Sequence, residues 1–78
     1  IIYIKLNMAA GLIIKNDKNR NISIKRFGKI FSSPVMRPYS GEIIISLDRK
    51  KYLIEKIEVD NDLEKNIPVW VYYVKLVK

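Results

Sequence analysis

The chain has no cysteine, histidine, threonine or glutamine, and only two alanines among its 78 residues. Without cysteine there is no disulfide framework, and without histidine as well there is no zinc site of the usual kind. The same two absences remove the commonest general base and the strongest side-chain nucleophile. No P-loop, GxGxxG or GxSxG pattern occurs, and Ser32, Ser33 and Ser40 have no evident base near them. A non-catalytic protein without a cofactor is therefore expected. The one enzymatic reading left open is a small ribonuclease working with Lys, Arg and Tyr alone, for which Lys29, Arg37 and Tyr39 around the proline-containing loop are the candidates.

Long hydrophobic runs are also missing. The longest, residues 67–74, is eight residues, whereas a membrane-spanning helix needs roughly 20, so no membrane span is expected. The first fourteen residues are apolar but contain Lys5 and show neither a basic leading region nor a cleavage site, so no signal peptide is read there. Residues 60–64 (DNDLE) resemble the start of a calcium loop. Lys65 stands where that loop needs glycine and Val71 where it needs its bidentate Glu, so no metal is expected.

Acids are scarce in one half only. Residues 1–40 hold eight Lys/Arg and a single acid, Asp17, whereas residues 41–78 hold seven of each sign. The whole net charge of +7 therefore falls in the first half. One-sided charge of this kind reads as a footprint for a polyanion. Part of the lysine content goes with a compositional bias, since Ile, Lys, Asn and Tyr make up 36 of the 78 residues. Bias does not explain the clustering.

What is abundant is β-branched: 14 Ile and 6 Val. Such side chains lose rotamer freedom in a helix and pack well on a pleated sheet. Strands are expected over residues 1–6, 11–15, 21–27, 42–47, 52–59 and 69–77, separated by polar turn clusters. Residues 42–47 place Ile43, Ile45 and Leu47 on one face, and residues 48–50 make the turn of a hairpin. A single helix over residues 48–58 competes with that hairpin, because Leu53, Ile54 and Ile57 also fit helical spacing. A bulge is expected at Gly28, a loop at residues 32–41, and a charged loop or helical turn at residues 60–66. The last strand is apolar on both faces, so it is either central in its sheet or covered by a partner.

Five or six short strands in one 78-residue domain point to an all-β fold, a single small barrel of SH3-like or OB-like kind. Its expected function is that of a small basic binding module contacting the backbone of RNA or DNA. Lys15, Lys18, Arg20, Lys25, Arg26, Lys29 and Arg37 would supply the cations, and Phe27, Phe31 or Tyr39 a stacking surface. The bland reading is solubility, with both phenylalanines in the core. The alternative function is assembly, on a protein partner or a second copy, of the kind a small viral accessory or structural protein performs. Trp70, Tyr72 and Tyr73 on the C-terminal strand would carry it, their bland reading being a central core strand.

Overall fold

Apolar residues at alternate positions build the strands, and the structure, a computed structural model, describes residues 11–31, 37–62 and 67–78. Strands β1 (Gly11–Lys15), β2 (Asn21–Ile22), β3 (Ile43–Ile45), β4 (Lys51–Asp62) and β5 (Ile67–Val77) form one sheet in the order β2-β1-β5-β4-β3. β1 and β5 run parallel, and the other neighbours are antiparallel. The protein is all-β, with one short 3-10 turn, Ile24–Phe27, among the described residues. The described sheet is open, with β2 and β3 as its edges, so these five strands do not by themselves close a barrel. The strand expected over residues 1–6 lies outside the described residues. Among the described residues no helix is long and apolar enough to cross a membrane.

β5 is the central strand, hydrogen-bonded to β1 on one side and β4 on the other. This accounts for its apolar character on both faces. Tyr72 and Val74 join Ile14, Ile44, Tyr52 and Ile54 in a core on one face of the sheet, and Phe27 and Phe31 close over them. The rings meet edge to face: Phe27 with Phe31 at 5.7 Å, Phe27 with Tyr52 at 5.1 Å, and Phe31 with Tyr72 at 4.8 Å between centroids. Each such fully buried side chain contributes about 1.5–3 kcal/mol relative to an exposed one. The Tyr72 hydroxyl donates to the Pro38 carbonyl at 3.3 Å.

Several local expectations are corrected. The strand foreseen over residues 21–27 ends at Ile22. Arg26 N–H then donates to the Ser23 carbonyl and Gly28 N–H to that of Lys25. These bonds wind the chain and set Phe27 down on the sheet. Gly28 has φ 63° and ψ −131°, a conformation essentially confined to glycine, so it ends this turn and is not a bulge within a strand. Ile43 and Ile45 do share a face, which is exposed (56% and 53%), while Ile44 at 5% points into the core and Leu47, 73% exposed, lies in the turn past the end of β3. The pairing of Ile44 with Tyr52 decides this, since a one-residue change of register inverts every side chain of a strand. Residues 60–62 belong to β4 and not to a loop; residues 63–66 lie outside the described residues.

The hairpin displaces the competing helix. Ser46 N–H donates to the Lys50 carbonyl at 2.9 Å, and the hydroxyl of Ser46, a buried residue, donates to the Asp48 carboxylate. Further along β4, the register slips between Ile54 and Lys56, which returns Ile57 to the core face opposite Tyr72.

Candidate polyanion-binding site

The parallel β1/β5 pair and the antiparallel β4 send two turns among the described residues, 16–20 and 46–50, to the same end as the last residues of β5. The first turn is shaped by Asn16. Its side-chain oxygen accepts from the N–H groups of Lys18 (2.9 Å) and Arg20 (3.0 Å), and Asn19 takes φ 61°, which asparagine tolerates. Lys18 and Arg20 therefore stand in solvent.

A groove of about 480 Å³ opens beside this turn. Lys18, Arg20, Arg26, Lys75 and Lys78 line it, Asp17 is its one acid, and Ile22, Tyr52 and Leu76 make its apolar floor. A second concavity of about 540 Å³ shares Leu76 and Lys78 with the first and adds Arg49, Lys50 and Lys51. Together the two linings hold eight Lys/Arg against one acid. Asp48 stands close by, 3.9 Å from the Lys50 ammonium. The bond from the Ser46 hydroxyl, and then the Lys50 charge, hold the Asp48 carboxyl below its usual range.

The acids of β4 are drawn off elsewhere. Further along β4, on the face of the sheet that carries Tyr73, Lys75 and Val77, Glu58 takes the Lys56 ammonium at 3.1 Å and the Tyr73 hydroxyl at 3.3 Å, and Lys56 lies 4.4 Å from the Tyr73 ring centre. The hydrogen bond from Lys56 lowers the Glu58 pKa, and that same contact raises the pKa of Lys56. A third hollow on that face, about 520 Å³, shares Asp17 and Lys75 with the first groove and sets them beside Glu55 and Lys56. Its lining carries two charges of each sign.

Of the basic residues read from sequence, Lys18, Arg20 and Arg26 come together in the first groove. Lys15 is half-buried at the end of β1, in register with Tyr73 and within electrostatic reach of Glu58. Lys25 and Lys29 are exposed on either side of Phe27 but do not line the groove. Arg37 lies 5.7 Å from the centre of the Trp70 ring. Phe27 and Phe31, at 1% and 3% exposure, belong to the core and have no face to offer a base, whereas Tyr39 is 71% exposed outside both concavities.

The aromatic residues of β5 likewise separate. Tyr72 is 1% exposed and internal, Tyr73 is half-buried under Lys56, and Trp70 is half-buried under Arg37. Sequence reasoning missed Arg49, Lys50, Lys51, Lys75 and Lys78, because the second half of the chain is neutral when summed. The signal available was their position: all five flank the strand ends, with the acids of that half mostly between them. Comparison with known proteins finds no matching family model, no matching curated protein and no matching solved structure.

Proposed function

We propose that the chain is a small basic, non-catalytic module, a nearly closed barrel in kind, that binds nucleic acid through its phosphate backbone. The observation that carries this reading is the convergence of eight cations on one end of the sheet, drawn from both halves of the sequence. Flexible ammonium and guanidinium groups release counterions when they neutralise phosphates, which gives affinity without base reading. Five to eight such contacts correspond to a log–log salt slope of about −4 to −7 on duplex DNA.

The test is fluorescence anisotropy on generic RNA and DNA across salt, with Lys75→Glu/Lys78→Glu as the variant. Binding at low salt with a slope of several units, weakened by the variant, is expected. No binding at low salt would leave the charge as a solubility device.

Assembly through the C-terminal strand is the weaker reading, since β5 already has a strand on each side. What supports assembly instead is exposed Ile43 and Ile45 along the β3 edge, with exposed Leu47 in the turn that follows. Sedimentation of the protein alone separates the two readings, because assembly would raise its mass with concentration.

A further inference from the structure

We propose that the occupant of this basic end is a double-stranded nucleic acid, held by the phosphates of both strands, and not a single strand. The inference rests on the nucleic-acid reading above and narrows it to one substrate class.

Two observations carry it. The first is the chemistry of the site. Proteins that hold single strands without sequence preference do so by stacking bases on exposed rings, which contributes about 1–3 kcal/mol per base. The only ring among the described residues lining either concavity is that of Tyr52, which is 6% exposed. With no ring to stack on, affinity comes from phosphate charge alone. A duplex then has the advantage, because it presents one charge per roughly 1.7 Å of axis where each of its strands alone presents one per 3.4 Å.

The second observation is where the cations stand. They form two banks, Lys18 and Arg20 on the turn between β1 and β2, and Arg49, Lys50 and Lys51 at the turn between β3 and β4. Three strand spacings separate the centres of those turns in the order β2-β1-β5-β4-β3. At about 4.8 Å per spacing the banks are roughly 14 Å apart measured along the sheet. That is of the order of the major groove of B-DNA, about 12 Å wide. Two banks so spaced match the two backbones that border that groove, with Lys75 of β5 and Lys78 just past its end between them.

The experiment compares a generic 20-base-pair DNA duplex with one of its strands, for the wild-type chain and two neutralised variants, Lys18→Gln/Arg20→Gln and Lys50→Gln/Lys51→Gln. All four side chains are exposed, and thermal unfolding by circular dichroism verifies that each variant folds. The wild type should bind the duplex at least tenfold tighter than the strand. Each variant should lower the magnitude of the duplex salt slope by about two, one unit per cation lost. Equal or tighter binding of the single strand would overturn the proposal while leaving the nucleic-acid reading in place, as would a duplex slope that responds to only one bank. A wild-type chain that binds neither polymer would overturn both.

Discussion

Replacing Phe27 by leucine separates a core role from a binding role at one residue. Phe27 is 1% exposed and meets two rings edge to face, Phe31 at 5.7 Å and Tyr52 at 5.1 Å. Leucine keeps most of the apolar burial but loses both ring pairs, each worth about 0.5–1.5 kcal/mol beyond its area. The expected loss is therefore about 1–3 kcal/mol. Stabilities of about 0.05–0.15 kcal/mol per residue put this chain at roughly 4–12 kcal/mol, so the variant should fold. For a domain of this size 1 kcal/mol moves Tm by about 4–8 °C, and a fall of roughly 10 °C is the central expectation. Urea unfolding followed by Trp70 fluorescence should show a lower midpoint with an unchanged slope. Nucleic-acid affinity, measured well below the new Tm, should stay within twofold of wild type. An unchanged midpoint together with a tenfold loss of affinity would refute the reasoning, because it would place Phe27 on the binding surface.

Burial raises the pKa of Tyr72, which favours its neutral form in the folded state. The associated stability is full below the unfolded value near 10 and is lost as pH rises above it. Tyr72→Phe should cost about 1 kcal/mol at pH 7 by orphaning the Pro38 carbonyl and should flatten the decline in stability above pH 10; an alkaline decline as steep as wild type would sink this. Gly28→Ala should destabilise by about 1–3 kcal/mol in chemical unfolding, because φ is 63° and the new methyl would sit 3.3 Å from Leu47. A neutral effect there would mean that the turn relaxes at no cost.

Much of the architecture was legible from local chemistry. β-Branched content predicts the all-β class, polar clusters at residues 16–21 and 48–50 locate two turns, and the two apolar faces of residues 69–77 predict a strand that is central or covered. The turn at Ile24–Phe27 was not legible, because its residues alternate like those of a strand and only packing of Phe27 onto the sheet favours winding. The exposed face of β3 was equally hidden. Three consecutive isoleucines suit either register, and the partner strand chooses.

Sequence alone determined the charge total, the absence of histidine and cysteine, and the preference of these residues for pleated backbone. Tertiary structure decided where the charge gathers. Summed along the chain, residues 41–78 are neutral. In space, Arg49, Lys50, Lys51, Lys75 and Lys78 join Lys18, Arg20 and Arg26 at one end of the sheet, while Glu55 and Glu58 lie further along β4. The reason is physical: electrostatic interaction depends on distance through space, and the parallel β1/β5 pairing brings together residues that the chain keeps some sixty positions apart.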